Sequence, residues 1–116
     1  MNIQIFGKSK CFDTKKAERF FKERKIPFQY IDMLDKGMSK GELEKVIKSA
    51  SGIDKLLDWK AKDQERLMQI KYATEQDKAS LLLESQHLIR TPIVRNGNQV
   101  TVGYEIGIWK DWESGK

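Results

Sequence analysis

The sequence predicts an α/β fold: a β-α-β unit joined through a helical insert to a β-β-α unit, closing a mixed four-stranded sheet. Three observations carry this prediction. Near the N-terminus, apolar–polar alternation gives way to helical spacing and returns to alternation within about thirty residues. The middle of the chain shows only helical spacing and helix-start signals. An Asn-Gly pair then stands between two alternating apolar runs, ahead of a last amphipathic stretch.

The elements follow in order. Asn2-Ile3-Gln4-Ile5-Phe6 has the period of a strand with one buried face. Gly7 to Cys11 is a turn, and Asp13 or Thr14 opens a helix to Arg24 with Ala17, Phe20 and Phe21 on one side. Ile26-Pro27 ends it, because the residue before proline disfavours helical geometry. Phe28-Gln29-Tyr30-Ile31 is a second strand, and a strand–helix–strand unit of this length predicts parallel pairing. In the insert, about 39–86, Ser39 with Glu42 forms a capping box for a helix from Gly41 to Ser49. Ser51-Gly52 breaks that helix, and Ile53, Leu56 and Leu57 suggest a short helical turn. Asp63 to Ile70 is another helix, and Thr74 to Asp77 caps one running to about Gln86. Thr91-Pro92-Ile93-Val94 and Gln99-Val100-Thr101-Val102 form a hairpin turning at Asn96-Gly97, where a type I′ turn needs positive φ at both central residues. The final helix carries Ile106, Ile108, Trp109 and Trp112. This order is the thioredoxin/glutaredoxin arrangement, expected as one domain over residues 1–116.

Composition narrows the function. The chain is 39% hydrophobic and 34% charged, which excludes a disordered segment, and no apolar run approaches the ~20 residues that span a bilayer. The N-terminus lacks a signal-peptide core, so a cytoplasmic protein without membrane contact is expected. The net charge of +5 is spread among acids, as in Lys15-Lys16-Ala17-Glu18-Arg19, which is the pattern of solvated helix faces and argues against direct nucleic-acid binding. The single cysteine, Cys11, excludes an internal disulfide, a Cys-x-x-Cys pair and the usual zinc sites, so no bound cofactor or metal is expected.

Cys11 falls between the first strand and the first helix, where backbone N–H groups and the helix dipole favour an anion and hence the thiolate. Lys8, Lys10 and Lys15 push the same way and Asp13 opposes them. The residues leave open whether this cysteine is a nucleophile or a small side chain packed at a turn. Pro92 opens a strand, a position that tolerates proline, and in thioredoxin folds a cis proline faces the reactive cysteine from this place. Arg90 precedes it by two residues. His87 is assigned a helix-capping role, and Trp109 and Trp112 a core role.

The chain resembles the arsenate reductase (ArsC) family, which includes the Spx-type transcription regulators. The anchors are Ile3-Gln4-Ile5-Phe6-Gly7 ahead of Cys11, Thr14-Lys15-Lys16-Ala17, Ile26-Pro27-Phe28, Ser51 to Leu57, Leu88-Ile89-Arg90-Thr91-Pro92-Ile93-Val94, and Val102-Gly103-Tyr104. The resemblance implies that Cys11 is a thiolate nucleophile, with glutathione or another small thiol as co-substrate and glutaredoxin or thioredoxin as partner. It places Thr14, Lys15, Arg90, Thr91 and Pro92 around the anion or thiol. Family reductases hold an oxyanion with arginines, and a guanidinium suits a tetrahedral oxyanion because it binds in bidentate fashion. Here Thr91 stands where they carry an arginine, Asp58-Trp59-Lys60 replaces a second, and no arginine follows Arg95. These departures argue against arsenate itself and leave Lys60 as a compensating base. The alternative implied by the resemblance is an Spx-like regulator that meets RNA polymerase near Gly52, or a catalytically silent member.

Overall fold

The computed structural model describes residues 1–115. Strand β1 (Ile3–Gly7) leads into helix α1 (Phe12–Glu23) and strand β2 (Phe28–Asp32). The insert holds α2 (Lys40–Ala50), a 3-10 turn (Asp54–Leu56), α3 (Gln64–Lys71), α4 (Glu75–Glu84) and a second 3-10 turn (Gln86–Leu88). Strands β3 (Ile93–Asn96) and β4 (Gln99–Val102) precede α5 (Ile106–Ser114). The sheet order is β2-β1-β3-β4. β1 pairs with β2 in parallel, from Ile3↔Phe28 to Gly7↔Asp32, and with β3 antiparallel, from Ile3↔Asn96 to Phe6↔Ile93. The mixed sheet and helical insert are those the sequence predicts.

Both faces of the sheet are covered, which corrects the expectation that β1 buries a single face. Ile3, Ile5 and Val94 pack with Ala17, Phe20, Phe21, Trp109 and Trp112 under α1 and α5. Phe6, Ile31 and Ile93, pointing the other way, meet Leu43, Val46, Leu56, Leu67 and Leu82 of the insert. β1 and β3 are the inner strands, so consecutive apolar residues such as Ile5-Phe6 and Ile93-Val94 are what their positions require.

The helix caps follow local chemistry. Ser39 Oγ accepts the Glu42 N–H at 3.2 Å while the Glu42 carboxylate accepts the Ser39 N–H at 2.9 Å, completing the capping box. Thr74 accepts the Asp77 N–H at 3.2 Å. α4 stops at Glu84 rather than Gln86, because the chain tightens into the 3-10 turn after Ser85. Lys78, nearly buried on α4, pairs with Glu75 at 3.4 Å and with Asp54 at 3.5 Å, tying α4 to the first 3-10 turn.

Two boundaries differ from expectation. β3 starts at Ile93, not Thr91, because Thr91-Pro92 is a cis peptide outside the ladder. The hairpin turns one residue later than predicted: Asn96 pairs with Gln99, which leaves Gly97 and Asn98 as the loop. Only Gly97 has positive φ (62°), the arrangement of a type II′ turn, in which glycine takes the first central position.

Candidate functional site

Gly7 ends β1, and the chain turns at once so that the Cys11 N–H reaches the Lys8 carbonyl at 3.0 Å. Thr14 decides how tightly this turn packs. It is fully buried, a Cβ at Gly7 would overlap its side chain, and its Oγ1 accepts the Lys8 N–H at 3.4 Å. With Thr14 committed to that packing, the N-cap of α1 is Cys11, in place of the Asp13 or Thr14 expected from their propensity. The neutral thiol makes no capping hydrogen bond, and instead donates to the Thr91 carbonyl at 3.5 Å.

Ionisation changes the balance at the sulfur. Partial burial opposes the thiolate, but hydrogen bonds from the Thr14 and Thr91 hydroxyls outweigh it, with smaller help from the backbone N–H groups of Thr14 and Asp13. The net result holds Cys11 below the usual cysteine range. Cys11 is half-buried, so a reactant can reach it. Thr91 and Cys11 meet because β3 lies beside β1 and the cis peptide at Pro92 sits at the end of β3 facing the turn.

A second set of groups lies against this turn. The segment His87-Leu88-Ile89 gives its outer carbonyls to one ammonium: Lys8 Nζ donates to His87 O at 2.7 Å and to Ile89 O at 3.0 Å. The carbonyl between them, Leu88 O, accepts the Asp58 N–H at 2.8 Å. Arg90 N–H donates to Leu56 O at 2.7 Å, and Leu57 bridges Ile89 in antiparallel fashion, so the insert is laced to the segment that carries Thr91. Burial pushes the Lys8 ammonium down, while Asp58 and Cys11 pull it back up by charge. The Lys8 charge is therefore felt by both Asp58 and Cys11.

The sequence pattern of the ArsC family matches residues 6–111. The chain belongs to the ArsC family. An ArsC-family-related protein from Bacteroides fragilis superposes with a TM-score of 0.82 at 20% identity, over 96% of this chain and 97% of that one. The arsenate reductase from Vibrio cholerae gives 0.77 at 19% identity, over 88% and 89%. The global transcriptional regulator Spx of Staphylococcus aureus is 23% identical over 104 residues, which is 88% of this chain and 79% of Spx. The solved structures establish the thioredoxin-like fold.

Within this ArsC-family chain, the residues singled out in the sequence do not all converge. Thr14, Thr91 and Pro92 gather at Cys11. Lys15 is exposed and lies over the exposed Phe12 ring, 5.8 Å from its centre. The Arg90 guanidinium packs where Gly103 has no side chain, in a groove it shares with Lys55, Thr101 and Glu105. Lys60 is exposed, and its backbone N–H donates to Asp58 Oδ1 at 3.1 Å. Gly52 sits after the Ser51 cap of α2 with φ 133° and open space at its Cα. His87 does not cap a helix through its ring; it meets Asp63 at 2.9 Å and holds that carboxyl below its usual range.

Two features carry no local signal in the sequence. Lys8 stood out only as one of several lysines, with nothing local to show that its partners are carbonyls from the far end of the insert. Tyr30 on β2 lies over Gly7, where a Cβ would approach its Cε1 to 3.1 Å. Burial pushes its phenol up, and Asp32, Glu18 and Cys11 add to the shift. The alternation of β2 puts Tyr30 on the face of Ile5, so this placement follows once the parallel register is known.

Proposed function

We propose that this chain is a monothiol oxidoreductase in which the Cys11 thiolate attacks an electrophilic sulfur. The observation that carries this reading is the set of donors around the sulfur: two hydroxyls and two N–H groups, which together outweigh the cost of its burial. In the first step the thiolate attacks a disulfide, a Cys11–sulfur bond forms, and the other half leaves as thiolate. With no second cysteine in the chain, an external thiol such as glutathione, or a glutaredoxin-type partner, must resolve the mixed disulfide and regenerate Cys11. The Cys11 thiolate leaves as the new disulfide forms, so the electrons balance. Arsenate is not the inferred substrate, because the Arg90 guanidinium is packed where Gly103 has no side chain and Thr91 stands where family reductases carry an arginine.

Alkylation of Cys11 by iodoacetamide across pH tests this directly. The rate should reach half its maximum below the usual cysteine value of about 8.5, and Cys11→Ser should remove it. Half-maximal reaction at or above that value rejects the nucleophile and leaves a catalytically silent family member.

The similarity to Spx favours a second reading, a regulator that binds RNA polymerase through the insert near Gly52. Substitution of Gly52 itself is a poor test, since φ 133° strains any residue with a side chain. The exposed Lys55 in the following turn leaves the backbone untouched. Purified RNA polymerase should be retained by the immobilised chain, and Lys55→Glu should lower retention several-fold. No retention by the unaltered chain removes this reading.

A further inference from the structure

Strand β4 is an edge of the sheet, and its own sequence does nothing to close that edge. The order β2-β1-β3-β4 leaves one side of it without a neighbouring strand, and Gln99-Val100-Thr101-Val102 holds neither a charge nor a proline. The opposite edge, β2, follows directly on Pro27 and ends on a charge, Asp32. Which backbone groups of β4 face outward follows from the ladder. The Gly103 N–H donates to Pro92 O at 2.8 Å, so Gly103, Thr101 and Gln99 turn toward β3. Alternation along an antiparallel pair then points the N–H and C=O of Val100 and Val102 away from β3. Among the described residues, no group outside the strand ladder bonds to either backbone.

The walls beside this edge are basic. A groove of about 460 Å³ between α2 and the hairpin is lined by Lys45, Lys48 and Arg95, and a second of about 440 Å³ by Lys55 and Arg90. The two meet at Val100. Glu105 is the one acid in their lining, and Glu42 offsets part of the Arg95 charge at 3.8 Å.

We infer that the β4 edge docks an extended acidic segment of another protein, which joins the sheet as a fifth strand. Val100 and Val102 supply the main-chain hydrogen bonds, and Lys45, Lys48 and Arg95 select for carboxylates. A second copy of this chain does not fit, because pairing β4 with β4 brings two basic walls together on molecules of net charge +5. A nucleic acid matches the charge but not the edge, since its backbone has no row of N–H groups for the Val100 and Val102 carbonyls. Docking here requires no reaction at Cys11.

The probe is a soluble peptide of alternating Glu and Val, titrated at low salt into isotope-labelled protein and followed by NMR. Binding should slow solvent exchange of the Val100 and Val102 amide protons several-fold. The Thr101 amide, already bonded to β3, should stay as it was. A Lys–Val peptide of the same length should not bind. The Glu–Val peptide N-methylated at two adjacent central amides keeps every charge but cannot pair as a strand, and it should bind several-fold more weakly. Lys45→Glu combined with Lys48→Glu should weaken the unmethylated peptide roughly fivefold, the effect of two exposed charges reversed. That variant leaves Cys11 and Lys55 unchanged, so this inference fails separately from the thiol and polymerase readings. No binding of the Glu–Val peptide at millimolar concentration overturns the inference. Equal binding of the methylated peptide, or unchanged exchange at Val100 and Val102, also overturns it by leaving charge attraction alone, and neither result depends on a variant that folds. Equally tight binding of oligothymidylate would reassign the face to nucleic acid. A dimer whose Val100 and Val102 amides are already slow without peptide would reassign it to a second copy.

Discussion

Replacing Trp109 with alanine should destabilise the chain by about 3–5 kcal/mol, the cost of deleting a large aromatic from a packed core. The side chain is fully buried. Its ring centre lies 5.6 Å from Phe20, 5.7 Å from Phe21 and, edge-on, 5.6 Å from Tyr104. Its Nε1 donates to Thr101 Oγ1 at 2.9 Å, so truncation also strands a buried hydroxyl on β4. Domains of this size have only about 5–15 kcal/mol of stability in total, so the melting temperature should fall on the order of 15–25 °C. Trp109→Phe, which keeps most of the packing and loses the hydrogen bond, should cost markedly less. A urea or thermal melt that puts Trp109→Ala within 1 kcal/mol of the parent would show that α5 is not a support of this face. The consequence reaches the thiol, because Phe20 and Phe21 belong to α1, whose first turn faces Cys11.

Much of this fold was legible because its signals are local. The Ser39–Glu42 box and the Thr74 cap act within three residues, and a reader of the sequence sees both partners at once. Trp109 and Trp112, three apart, could be assigned to one buried face for the same reason. The cis proline was legible only through the resemblance to thioredoxin folds, which carry one opposite the cysteine turn. Local patterns failed where a residue had a stronger partner elsewhere. Asn96 has the propensity of a turn residue, but pairing with Gln99 extends the ladder past it. Thr14 has the propensity of a cap, but its side chain packs against Gly7 and accepts the Lys8 N–H, which hands the N-cap to Cys11. Asp58 was visible as a change of sign against the family pattern. Its proximity to Lys8 was not, because that depends on the insert folding back until Leu57 bridges Ile89. The site is thus half local and half built by the insert, and the local half is what the sequence announces.

Thr14→Val should raise the Cys11 pKa and slow alkylation at neutral pH several-fold. Valine keeps the shape that packs against Gly7 and removes only the hydroxyl, the foremost of the donors that favour the thiolate. A hydrogen bond to a charged group contributes about 1.5–3 kcal/mol, and solvent reaching the half-buried sulfur trims the effect below that range. The variant also leaves the Lys8 N–H without its acceptor, so a loss of about 1 kcal/mol of stability is expected at any pH. The pH dependence separates the two effects. A thiol held below its ordinary value in the folded state stabilises the fold above that ordinary value, and this contribution disappears as pH falls through the lower folded one. Parent and Thr14→Val should therefore differ more in stability near pH 10 than near pH 6, where only the lost N–H partner counts. Thr14→Ser, which keeps the hydroxyl and loses the methyl, should retain the parent's alkylation profile while losing some packing stability. If Thr14→Val leaves the profile in place, the hydroxyl does not support the thiolate. The lowered pKa would then fall to Thr91 and the α1 N–H groups alone.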